Sequence, residues 1–163
     1  MELIETVIVG AGGASSVTFS NLNTWAGTYK HLQVRMVNLH SADQNAVMQF
    51  NGDFEANYWW HQVQGNGSGA SSFGTSNSWM QVGYGPNSAS APTASVIDIL
   101  DAFSTNKRKV ARTLTGSSSS TNNIKLMSGM WNNTNALTSI TFREIAGTFQ
   151  QGSRLSIYGI KGA

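Results

Sequence analysis

Apolar side chains in this chain recur at every second position rather than every third or fourth. Residues 31–37 show it most cleanly: Leu32, Val34 and Met36 fall on one face, His31, Gln33 and Arg35 on the other. A period of two marks a β-strand with one face against a core. Ala46, Met48 and Phe50 repeat the pattern and run into Asn51-Gly52-Asp53, a turn sequence that tolerates positive φ. Residues 58–64 read as an aromatic strand. Further strands are predicted at 2–9, 15–19, 79–82, 95–100, 109–114, 124–131, 137–143 and 154–160. Turn residues separate them at 10–13, read as a hairpin-type turn, and at 117–123, 132–135 and 147–152.

Two stretches break the rhythm. Residues 65–77 are Gly, Ser, Asn, Ala and Thr almost throughout, interrupted by Phe73, and read as a long exposed loop or as strands joined by flexible turns. Residues 83–93 carry both prolines. Helical periodicity is nearly absent, although 98–103 could form one helical turn. About ten short strands with turn chemistry between them predict an all-β fold, an antiparallel β-sandwich. A jelly roll of two four-stranded sheets is the expected topology. No repeat or linker divides the chain, so 1–163 is read as a single domain.

Composition sharpens this picture. Ser, Gly, Asn and Thr make up 67 of 163 residues, and charged residues only 11%, less than half the roughly 25% usual for soluble domains. Five Trp, seven Phe and four Tyr argue for a packed interior rather than disorder. The absence of cysteine excludes disulfides, thiol catalysis and cysteine-based zinc sites. A net charge of +2 is a weak field and no argument for direct nucleic-acid binding. Apolar runs fall far short of the roughly 20 residues of a spanning helix, and the acidic start, Met1-Glu2-Leu3-Ile4-Glu5, does not read as a signal peptide.

Candidate chemistry is thin. Residues 7–14, with Gly10, Gly12 and Gly13, look like a dinucleotide fingerprint, but a strand sequence follows where a helix must receive the pyrophosphate. No Gly-x-Ser-x-Gly elbow is present. His31, His40 and His61 could meet Asp43 or Asp53, and a helical turn would align Asp98 with Asp101, yet simpler strand and turn roles account for them. The sequons at Asn66 and Asn132 are expected by chance in so Asn-rich a chain. No catalytic, cofactor or metal residue is therefore assigned. Partner contact is the remaining chemistry. Lys107, Arg108, Lys109 and Arg112 form the one basic cluster, either a solvated hairpin end or a contact for an acidic protein surface. Trp59, Trp60 and Trp79 pose a similar choice among internal packing, a subunit interface and a sugar platform; adjacent tryptophans on a strand point to opposite faces, so one is expected inside.

Several stretches together resemble a family of small structural proteins of tailed bacteriophages. They are Met1-Glu2-Leu3-Ile4-Glu5-Thr6-Val7, Gly12-Gly13-Ala14-Ser15-Ser16-Val17-Thr18-Phe19, Phe50-Asn51-Gly52-Asp53 and Ile97-Asp98-Ile99-Leu100-Asp101. Ser128-Gly129-Met130-Trp131-Asn132-Asn133-Thr134, Leu137-Thr138-Ser139-Ile140-Thr141-Phe142 and the ending Ser153-Arg154-Leu155-Ser156-Ile157-Tyr158-Gly159-Ile160-Lys161 complete the set. The resemblance implies a non-enzymatic virion component without catalytic residues. Within that class, a chain with no coiled or fibrous segment fits a capsid decoration (cement) protein on the outer shell. It would be a homotrimer clamping the major capsid protein. A tail component whose 65–77 and 83–93 loops touch a host glycan is the alternative, and a free carbohydrate-active enzyme or lectin a third.

Overall fold

The computed structural model of the chain describes residues 1–117 and 123–162, and every side chain among them except that of Ala89. Strands with one apolar face must stack in pairs of sheets to cover that face, and twelve strands do so among the described residues. They are β1 (Glu2–Ile8), β2 (Ser16–Phe19), β3 (His31–His40), β4 (Gln44–Phe50), β5 (Tyr58–Gly65) and β6 (Ala70–Asn77). β7 (Met80–Gly85), β8 (Ser88–Leu100), β9 (Lys109–Ser117), β10 (Asn123–Trp131), β11 (Ile140–Glu144) and β12 (Arg154–Ile160) follow. The fold is all-β, and its strand ladders are antiparallel.

One sheet has the order β1-β12-β3-β8-β9-β10-β5-β6, the other β2-β11-β4-β7. The sheets therefore hold eight and four strands rather than four each. The pairs β5–β6 and β9–β10 widen the larger sheet, and β7 of the smaller one packs across β8, β9, β10 and β5. The predicted inner faces are the ones that meet. Leu32, Val34 and Met36 of β3 and Ile97 and Ile99 of β8 lie against Met48 and Phe50 of β4 and Phe142 of β11, all buried in one core.

An aromatic corner closes one end of this core. Trp131 stacks on Tyr58 at 6.4 Å between ring centroids and meets Phe50 edge-on at 5.6 Å. The predicted turn after β4 forms with positive φ at Asn51 (53°) and Gly52 (68°). It delivers Asp53 to the indole, whose Nε1 donates to Asp53 Oδ2 at 2.7 Å. Tyr58 Oη donates to the Asp53 carbonyl at 3.0 Å.

Several expectations change. The 10–13 turn does not close a hairpin: β1 pairs with β12 and β2 with β11, in different sheets. Of the two readings of 65–77, strands joined by a turn is the one that forms: β5 ends at Gly65, β6 starts at Ala70, and in the turn at 66–69 Asn66 Oδ1 accepts from the Ser68 and Gly69 amides. β8 begins at Ser88 and takes in Pro92, the second of the two prolines. No helical turn forms over 98–103; Asp98 ends β8 with Ile99 and Leu100, and Asp101 turns the chain at φ 48°. The strand predicted from 137 starts at Ile140, and a 3-10 turn at Leu22–Trp25 was not foreseen. The turn expected over 117–123 has its centre, 118–122, outside the described residues.

Candidate functional site

The three histidines lie apart. His31 Nδ1 accepts from the Asp101 amide at 2.9 Å, and His61 is exposed on the large sheet. His40 is fully buried, with Nδ1 2.8 Å from Glu144 Oε1 and Nε2 3.3 Å from Thr93 Oγ1. A carboxylate, an imidazole and a hydroxyl in line suggest a nucleophilic triad. Here all three are buried between the sheets, so a substrate has no approach to the hydroxyl. Asp43 accepts from the Asn87 amide at 2.7 Å, and Asp53 serves the aromatic corner. Burial pushes the Asp53 carboxyl up, but hydrogen bonds from Trp131, Asn57 and the Glu55 amide outweigh it and hold the group below its usual range. Among the described residues no three His, Asp or Glu side chains gather as metal ligands, and no helix is long and apolar enough to cross a membrane.

The glycines at 10–13 make a turn in which the Gly13 amide donates to the Gly10 carbonyl at 3.2 Å. Gly13 has φ 76°, and a Cβ there would lie 2.8 Å from the Phe149 carbonyl oxygen. Its glycine is explained by that close approach and not by a pyrophosphate.

The basic cluster is dispersed by the strand. Lys109 is a correction: it opens β9 on the inner face and is fully buried. Its Nζ donates to the carbonyls of Ser104, Lys107 and Thr134 at 2.6, 2.7 and 3.1 Å, and burial pulls its pKa below the usual lysine value. It pins the 104–108 and 132–135 loops together and cannot meet a partner. Lys109→Met keeps the stem but leaves three carbonyls without their donor. We expect it to lower stability by about 1–3 kcal/mol, measured as the midpoint of urea unfolding. Lys107 points outward and binds Asp101 Oδ2 at 2.8 Å, a bond that holds the Asp101 carboxyl below its usual range. Arg108 is exposed beside it, and Arg112 is exposed on the large sheet.

The tryptophans divide as alternation requires. Trp60 is buried, stacked on half-buried Trp79 at 5.8 Å and tilted against Phe73 at 5.6 Å. Trp60 is therefore not an accessible contact. Trp59 faces outward at 41% exposure. It shares the outer face of the eight-stranded sheet with Arg112.

That outer face is the feature missed from sequence. The ladders align its side chains into rows running across the strands. One row starts at Arg35 and crosses Val96, Leu114, Leu126 and Val63; beside it lie Val37, Ala94, Gly116 and Ile124. Val63, Leu114, Ile124 and Leu126 are each more than half exposed. The next row is polar: Gln33, Asp98, Arg112, Ser128 and His61. A further row of Leu100, Val110, Met130 and Trp59 is apolar again. Arg35, Val37, Val96, Leu114 and Ile124 of the first two rows line a shallow open trough.

At one end of the same strands the inner positions are polar, while Ile97, Ile99, Ala111, Trp60 and Trp131 keep the other end apolar. Thr113, Thr115, Gln62 and Lys125 are all buried between the sheets. The Lys125 ammonium lies over the Tyr84 ring at 4.7 Å, and burial lowers its pKa. In this corner the large sheet is inside out, with polar residues inward and aliphatic ones toward solvent. The signal was present in sequence: 95–100 and 124–127 carry apolar residues at both parities, as strands covered on both faces do. Compared with protein-family models and with curated protein sequences, the chain matches none of them.

Proposed function

We propose that the chain is a non-enzymatic virion structural protein of a tailed bacteriophage, a decoration (cement) protein on the outer face of the capsid shell. It would cohere with copies of itself and clamp the major capsid protein. The observation that carries this reading is the inside-out corner of the large sheet, where aliphatic rows face solvent over polar inner positions. A monomer gains nothing from such an arrangement, and contiguous apolar patches of several hundred Å² mark interaction surfaces. The sequence resemblance points the same way. On this reading the nested orders β1-β12-β3-β8 and β2-β11-β4-β7 are a jelly roll, an architecture shared by viral capsid and lectin domains. The two further pairs of strands are then insertions that widen its adhesive sheet.

Contact with the shell falls to the exposed basic end, Lys107 and Arg108. The double variant Lys107→Glu, Arg108→Glu is expected to weaken attachment to purified particles, more at low salt than at high, since exposed charges are screened by ions. Equal binding of variant and parent at both salt concentrations removes the acidic-surface contact. The reading as a whole is tested by cryo-electron microscopy of whole particles: hundreds of copies on the shell support it, and a few tens on the tail overturn it. One observation favours the tail alternative. Phe73, 56% exposed, extends the Trp60–Trp79 stack to the surface, an aromatic shelf of the kind sugars stack on. A glycan array probes that shelf directly.

A further inference from the structure

We propose that the apolar outer face of the eight-stranded sheet is the contact between two copies of this chain. They stack sheet on sheet about a two-fold axis that runs parallel to the strands between β8 and β9. The proposal deepens the adhesive reading above, rests on it, and names the occupant of the face as one further copy, a two-fold contact in place of the trimer expected from sequence. β8 and β9 are the fourth and fifth of the eight strands, so this axis bisects the sheet. Rotation about it lays β8 of one copy over β9 of the other and β3 over β10, each row falling on its own counterpart.

Near the axis the chemistry of the rows matches itself. Val96 meets the partner's Leu114, and Val37 meets the partner's Ile124. Arg35, in the Val96 row, falls opposite the partner's Leu126, and its guanidinium is drawn aside by Gln33 Oε1 at 3.1 Å and the Tyr158 ring at 5.2 Å. In the polar row Asp98 and Arg112 are direct cross-strand neighbours, so the rotation places Asp98 over the partner's Arg112 and Arg112 over the partner's Asp98. Within one chain Asp98 Oδ1 accepts from Gln33 Nε2 at 2.8 Å, and Arg112 forms no ion pair among the described residues. A foreign surface would have to supply the same alternation of apolar, charged and apolar rows; a second copy carries it already. Stacked sheets lie about 10 Å apart and cross at about 30°. The match is therefore closest near the axis, where Val96, Leu114, Asp98 and Arg112 sit. Area agrees. The six most exposed aliphatic residues of the first two rows present roughly 500 Å², at the upper end for a lone patch. A standard interface takes roughly 800 Å² from each partner, so the contact must take in the polar row and the Leu100 row as well.

Charge exchange tests this with the full chain. Sedimentation equilibrium of the parent protein is expected to give twice the 17.5 kDa chain mass. Asp98→Arg alone and Arg112→Asp alone each place like charges across the axis. Each is expected to weaken self-association about a hundredfold or more, with an unchanged near-ultraviolet circular dichroism spectrum. An equimolar mixture of the two variants restores opposite charges at both positions and is expected to recover the two-chain mass. A monomeric parent, a three-chain mass, or a mixture that stays monomeric overturns the proposal, as does dimerisation indifferent to both variants. Its failure is separable from that of the decoration reading. Dimers in solution with no copies on the shell sink the latter alone, and monomers found on the shell sink the former alone.

Discussion

Glu144→Ala is expected to lower the free energy of unfolding by about 2–4 kcal/mol, from a buried imidazole left without its neighbour and from the void that the lost side chain leaves. Glu144 and His40 are both fully buried, 2.8 Å apart, and His40 Nε2 touches Asn38 Nδ2 at 2.7 Å. Truncation leaves a polar ring without its carboxylate and a void beside it. Neighbouring groups have little room to close that void. At Gly85 a Cβ would lie 2.1 Å from the imidazole and 2.4 Å from Thr93 Oγ1, so the strand already presses on the ring. Glu144→Gln preserves shape and an acceptor and is expected to recover most of the loss. Urea unfolding followed by tryptophan fluorescence reads both variants. A loss below about 1 kcal/mol for the alanine variant would mean that the pair contributes little.

Trp131→Ala is expected to cost about 3–5 kcal/mol, as large aromatic truncations in a core do. Trp131 is 1% exposed, packed on Tyr58 and Phe50, and its Nε1 anchors Asp53. Two contributions are separable. Trp131→Phe keeps a ring in the stack but removes the indole donor, and should lose about 1–3 kcal/mol with the carboxylate left short of a partner. Pairing it with Asp53→Asn in a double-mutant cycle isolates the indole–carboxylate bond, and additive losses would show that the two do not interact. The sign of the acid dependence follows from the depressed Asp53 carboxyl. Its stabilising contribution is complete above the ordinary carboxylate range and is lost as pH falls through the lower folded value.

These two sites show how far each kind of reasoning reached. The Asn51-Gly52-Asp53 turn was legible because positive φ selects a narrow residue set. Its use, delivering a carboxylate to an indole 78 positions away, was not, since no local signal connects Asp53 with Trp131. Likewise Lys107, Arg108 and Lys109 read as one cluster, but the strand begins at Lys109 and turns it inward. Burial of Trp60 and exposure of Trp59 followed from alternation, although which of the pair would be inside did not. The choice at 65–77 between a loop and strands joined by turns fell to β6 because cross-strand pairing with β5 compensated for residues of weak strand propensity.

Alternation along each strand is a property of its own residues, so the all-strand character, the turn positions and the inner rows of β3 and β4 were settled locally. A period of two says that a strand has two faces; it does not say how many of them another layer covers. That depends on which distant strands pair, and in what register. The pairing of β8, β9, β10 and β5 brought Val96, Leu114, Leu126 and Val63 into one row. It also left that row uncovered, because the smaller sheet packs against the other face. Long-range pairing thus turned scattered aliphatic residues into a surface with direction, charge and symmetry.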